Sequence, residues 1–187
     1  MKKQLIILFS LISPFLTASF ASAITPQIIG PDMKIIDNNI IVNLRIDNVT
    51  ELAAPITSGV EKEITFTIEL LRIWRFWPDE FIVSKRIAKV IKYDNLRDQY
   101  RASSYDGITR SEIYFADYNS VTDWIFTVNS VNLANIKELE PSRYYIRIVV
   151  ESKSLEQLPL IGFLIHFIPE VEMSLAKESQ PFTIRDN

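Results

Sequence analysis

The chain has no cysteine, one histidine and four glycines among its 187 residues, and these shortages exclude much chemistry before any motif is considered. Without cysteine there is no disulfide framework and no thiolate nucleophile, so in an oxidising compartment the fold rests on packing alone. A zinc site draws three or four ligands from Cys, His and carboxylates. The single His166 leaves no such set, and neither a metal nor a cofactor is expected. Gly30, Gly59, Gly107 and Gly162 lie too far apart for a loop whose backbone amides cradle a phosphate. The net charge is −3. That mild acidity argues against nucleic acid, which needs clustered Lys and Arg.

Long apolar runs are scarce too, with one exception at the N-terminus. Lys2 and Lys3 precede an apolar run of 16 residues, Leu5 to Phe20, and Ala21-Ser22-Ala23 supplies the small-x-small pattern of a signal-peptidase site. The expectation is a cleavable secretory signal over residues 1–23 and a single domain over 24–187, placed in the periplasm or secreted. A retained anchor is the rival reading. The run is shorter than the roughly 20 residues a spanning helix needs, and Pro14, Ser10, Ser13, Thr17 and Ser19 weaken it further. No cysteine follows Ala23 to carry a lipid. Leu158 to Ile168 is the best later candidate, and it is 11 residues with His166 inside, so no membrane span is expected after cleavage. The remaining 164 residues suffice for one core, burying roughly 70% of the unfolded surface.

What is present is alternation. Ile40, Val42, Leu44 and Ile46 alternate with Ile41, Asn43, Arg45 and Asp47, and Asp37-Asn38-Asn39 before them marks a hairpin. Asn48 with Glu51 is a weak capping box for a short helix that Gly59 would end, although Pro55 interrupts it. A long strand is predicted from Val60 to about Trp74, with Ile64, Phe66, Ile68 and Leu70 on one face. The pattern blurs after Leu70, as a bulge or the end of one-sided burial would produce. Trp77-Pro78-Asp79-Glu80 turns into a strand from Phe81 to Tyr93. Gln99 to Ser104 and Ile108 to Phe115 flank Tyr105-Asp106-Gly107, where glycine suits a tight turn. Val121, Trp124, Ile125 and Val128 have helical spacing, with Asn119 or Ser120 as N-cap. Tyr144, Ile146, Ile148 and Val150 mark another strand, and short strands fit Val171 to Leu175 and Phe182 to Arg185. Eight or nine strands with one or two short helices predict a mainly β fold, an antiparallel sandwich or a partly open barrel.

Chemical signatures are thin. His166 lies between Ile165 and Phe167 with no Gly-x-Ser-x-Gly elbow, which reads as a packed ring and not a catalytic base. Asp79 with Glu80, or Glu170 with Glu172, would serve acid–base hydrolysis only if a cleft brought them together; otherwise they are solvated acids. No catalytic residue is assigned. Charge is the clearer clue. The window from Arg72 to Lys92 holds Arg72, Arg75, Lys85, Arg86, Lys89 and Lys92 against Asp79 and Glu80, a local +4 in an otherwise acidic chain. Arg72-Ile73-Trp74-Arg75-Phe76-Trp77 pairs guanidinium groups, which grip phosphate or carboxylate, with flat aromatic faces. Arg72, Trp74, Arg75, Trp77, Lys85, Arg86 and Lys89 are therefore the candidate binding residues for an anionic envelope partner: a lipid, a polymer or an acidic protein face. The plain alternative is a sheet end with core aromatics and solvated cations. Leu158 to Ile168 divides the same way, between a docking segment and a buried strand.

Several of these stretches resemble an uncharacterised family of exported bacterial proteins, the domain of unknown function 4390. Ser58-Gly59-Val60 and the strand running to Leu71-Arg72-Ile73-Trp74-Arg75-Phe76-Trp77 resemble its small-Gly-Val, strand, Arg-aromatic block. Tyr93-Asp94-Asn95-Leu96-Arg97-Asp98-Gln99-Tyr100 is similar to its Tyr-x-x-Leu-x-x-x-Tyr block. Leu139, Tyr144 to Glu151 and Leu158-Pro159-Leu160 resemble its C-terminal strand and Leu-Pro element. The tryptophan expected near the C-terminal end is absent, with Phe182 in its place. The resemblance supplies no catalytic residue or ligand. It implies export and an association with sensor kinases. Together these point to a non-enzymatic periplasmic interaction module, engaging an anionic envelope partner or the periplasmic domain of a sensor kinase. The alternatives are a carboxylate-based hydrolase of an envelope polymer and a structural subunit of an envelope assembly.

Overall fold

The computed structural model describes residues 25–49, 60–155 and 171–185. The expected leader, Glu51 to Gly59, Leu158 to Ile168 with His166, and Glu170 lie outside the described residues. Alternating burial builds a mainly β sandwich of two antiparallel sheets with no closed barrel. Its strands are β1 (Gln27–Ile36), β2 (Asn39–Asp47), β3 (Glu61–Arg72), β4 (Glu80–Asp94), β5 (Gln99–Tyr105) and β6 (Arg110–Phe115), then, after the helix α1 (Tyr118–Phe126), β7 (Thr127–Asn135), β8 (Ser142–Leu155), β9 (Val171–Glu178) and β10 (Phe182–Ile184). The smaller sheet has the order β1-β2-β7. The larger runs β10-β8-β3-β4-β5-β6, with β9 pairing β8 beside β10.

The predicted hairpin forms between β1 and β2. Asp37 and Asn38 take φ of 48° and 63°, the left-handed pair that a two-residue turn requires and that Asp and Asn tolerate. Ile40, Val42, Leu44 and Ile46 are all buried, in one core with Ile64, Phe66, Ile68 and Leu70 of β3 and Tyr144, Ile146, Ile148 and Val150 of β8. Burying these aliphatic side chains, each worth roughly 1.5–3 kcal/mol, is what holds the layers together. The irregularity after Leu70 is a bulge in the β3–β4 pairing. Leu70 faces Val83 but Leu71 faces Phe81, leaving Ile82 as the extra residue. β3 keeps its register with β8 as far as Arg72 opposite Tyr144.

Several expectations are corrected. The helix ends at Phe126, and its N-cap is Asp117, whose carboxylate accepts from the Ser120 N–H at 2.8 Å. Val128, read as part of that helix, is instead a buried residue of β7. β7 was not foreseen and brings the strands among the described residues to ten; its alternation is hidden because its pairing with β2 shifts register twice and Ser130 takes φ of 57°. The β5–β6 turn is wider than Asp-Gly alone. The Asp106 carboxylate accepts from the Ile108 and Thr109 amides at 2.9 and 2.7 Å, so Ile108 is an exposed loop residue and not part of a strand. Asn48 has φ of 61°, not the extended backbone of an N-cap.

Candidate functional site

The β3–β4 hairpin combines a polar, well-bonded stem with an apolar apex. Its two strands pair as far as Arg72 opposite Glu80, and Ile73–Asp79 form the loop. The Ile73 amide carries the sheet one step further by donating to the Arg143 carbonyl at 2.9 Å. Arg72 Nε donates to Glu80 Oε2 at 2.7 Å, and the rest of the guanidinium contacts Glu80 and Glu140. Burial works against the Arg72 charge, yet the two carboxylates outweigh it and raise the guanidinium pKa. The Trp74 indole N–H donates to Glu80 Oε2 at 3.0 Å, and its ring lies 4.7 Å from the Arg72 guanidinium. Those hydrogen bonds, Trp74 first and Arg72 second, hold the Glu80 carboxyl below its ordinary value. The Trp74 amide donates to Asp79 at 3.3 Å. On the other side, burial and then the Asp79 carboxylate push the Tyr145 hydroxyl up.

Above this stem the side chains turn outward. Trp74 is 46% exposed, Phe76 84%, Trp77 78% and Phe81 56%. The bulge at Ile82 sets Phe81 opposite the buried Leu71, so it joins the loop aromatics. Together they present on the order of 500 Å² of aromatic surface. That matches the largest apolar patch of a typical folded domain, which is often functional. Arg75 stays with the apex, its guanidinium 5.4 Å from the Phe76 ring.

The structure keeps only part of the expected cationic surface together. Arg72, Trp74, Arg75 and Trp77 share the hairpin tip, although Arg72 is spent on ion pairs. The β4 cations separate because a strand sends alternate residues to opposite faces. Lys85 and Lys89 stand opposite Ile68 and Ile64 on the inner face, whereas Arg86 stands opposite Thr67 on the outer face and Lys92 shares its parity. Lys85 and Lys89 border a groove with Asp106, Trp124 and Asn129. Lys89 is itself buried. Its ammonium donates to the Trp124 carbonyl at 2.6 Å and to the Thr127 carbonyl, closing the C-terminus of α1, and it sits 4.3 Å from the Trp124 ring. Burial pushes its pKa down to about 8, against the nearby Asp123.

Of the carboxylate candidates, Glu170 lies outside the described residues and the other three are each engaged, Asp79 by the Trp74 amide. Glu80 serves Arg72 and Trp74, and Glu172 pairs with the buried Lys62. Desolvation would raise Glu172, but hydrogen bonds from Lys62 and Ser154 leave it lowered. A carboxyl poised as a general acid near neutral pH moves the other way. Among the described residues no cluster of three or more His, Cys, Asp or Glu is placed to hold a metal. No helix among them is long and apolar enough to cross a membrane.

The Tyr93 to Tyr100 block is structural. The two rings pack at a tilt of 48° across the β4–β5 hairpin with centroids 4.8 Å apart, and Asp94 accepts from the Leu96 amide at 3.0 Å. Phe182 stacks on Tyr144 at 6.2 Å. Sequence reading missed Phe81, whose outward turn depends on the bulge, Arg143, which reaches the apex through the pairing of β8 with β3, and Arg185, which follows β10 where that strand pairs with β8. A family model described as domain of unknown function (DUF4390) matches residues 27–168, a span that contains the whole hairpin. No curated protein and no solved structure matches the chain.

Proposed function

The chain belongs to the family described as domain of unknown function (DUF4390), and from that premise we propose that it is an exported, non-enzymatic interaction module that docks an envelope partner through the apex of the β3–β4 hairpin. The observation that carries this reading is the outward display of Trp74, Phe76, Trp77 and Phe81 on a stem fastened by Arg72, Glu80 and Glu140. Apolar rings on a fixed stem lose little conformational entropy on docking, which makes them efficient anchors. The N-terminal charge and apolar pattern support export. Hydrolysis by paired carboxylates draws no support from Glu80 and Glu172, each of which is held by a cation and shifted down.

The test is capture from the envelope fraction of the source cells by tagged protein, wild type against Phe76→Ser/Trp77→Ser, with thermal unfolding to show that both fold. The expected result is loss of the captured partner with an unchanged melting temperature. Equal capture by both proteins overturns the reading.

A further inference from the structure

We propose that the partner at this apex is a phospholipid surface, with the aromatic loop entering the bilayer interface and a lipid phosphate held by Arg75, Arg143 and Arg185. The proposal rests on the docking reading and names its partner. These three arginines line one open pocket beside the loop, together with Ser142 and Thr183, and among the described residues no acid is part of that lining. Arg143 is held beside the loop by the Ile73 amide, which donates to its carbonyl, and the pairing of β10 with β8, in which Thr183 faces Arg143, brings Arg185 alongside. Among the described residues, none of the three lies within ion-pair distance of a carboxylate, whereas Arg72 has two such partners and Arg147 one. Like charges gathered around one hollow repel unless an anion joins them. Guanidinium groups grip phosphate oxygens in bidentate fashion.

The neighbouring rings narrow the choice of anion. A soluble polyanion would satisfy the pocket and leave Phe76 and Trp77 in water. An acidic protein face would bring carboxylates but no apolar bed for four rings. A phospholipid surface offers both at the right spacing: phosphates at the headgroup level and, just beneath, the zone where Trp and Phe are most stable. Arg75 links the two halves, since it borders the pocket and lies against Phe76.

Tryptophan emission tests this directly, because Trp74, Trp77 and Trp124 are the chain's three tryptophans and residues 1–23 contain none. The full chain is titrated with phosphatidylcholine vesicles, with and without phosphatidylglycerol, carrying acyl chains brominated at known depths. The expected result is a blue shift and quenching by shallow bromines, stronger with phosphatidylglycerol and weakened by salt. Trp124→Phe should preserve the response and Trp74→Phe/Trp77→Phe should abolish it; the second pair suffices should the first variant fail to fold. Arg143→Ala and Arg185→Ala should each weaken phosphatidylglycerol binding roughly fivefold. No shift with either vesicle, while Phe76→Ser/Trp77→Ser still loses the envelope partner, overturns the lipid assignment and leaves docking intact. Full competition by soluble glycerol phosphate without quenching also overturns it, as does undiminished binding by both arginine variants.

Discussion

Lys89 turns the fold's interior electrostatics into a measurable slope. Its side chain is 7% exposed and caps the end of α1 through the Trp124 and Thr127 carbonyls. Burial brings its pKa down to about 8, while in an unfolded chain a lysine titrates near 10.4. Below pH 8 both states hold the proton, and the cost of the buried charge is fully present. Between about 8 and 10.4 the unfolded state holds more protons than the folded one, so stability rises with pH across that window. At about 1.36 kcal/mol per pH unit the gain is about 3 kcal/mol. Burial also raises the Tyr100, Tyr144 and Tyr145 hydroxyls. Those groups remove stability as the pH passes roughly 10, in the sense opposite to the lysine. The comparison is therefore between wild type and Lys89→Met, which retains every tyrosine. Urea unfolding is followed from neutral pH to about 10.5. Wild type should gain about 3 kcal/mol on the variant across the range, nearly all of it above pH 8. A difference that stays flat with pH would refute the buried-ammonium account of this position.

Other expectations concern the core and the strand edges. Phe66→Ala empties a fully buried site at the centre of β3 and should cost about 3–5 kcal/mol in urea unfolding. Gly30 has φ of 101°, and a Cβ there would approach the Asn43 carbonyl oxygen to 3.0 Å. Gly30→Ala should therefore cost about 1–3 kcal/mol by the same assay. Glu172→Gln strands the ammonium of Lys62, which is 3% exposed. It should destabilise by about 1–3 kcal/mol, and Lys62→Met/Glu172→Gln should recover much of that loss.

The sandwich was legible wherever burial is one-sided. In β2, β3 and β8 a run of four alternate residues is apolar and enters the core, so period and register follow from composition. β7 was illegible because its two register shifts break the alternation just after a helix. The tip was partly legible. Arg72 to Trp77 stand out as a hexapeptide, but the stem's dependence on Glu140 and the approach of Arg143 and Arg185 come from strand pairings between distant residues. The β4 cations show the opposite failing. Their parity was readable, and counting alternate residues alone would have placed Lys85 and Lys89 apart from Arg86 and Lys92.

The most direct test of docking through the hairpin apex is photo-crosslinking in living cells, with the photoreactive residue at position 77 or at position 96. Leu96 is 97% exposed and sits in the β4–β5 turn, at the far end of the same sheet. The account predicts envelope adducts from position 77 and none from position 96. Adducts from position 96 alone, or equal adducts from both, would contradict it.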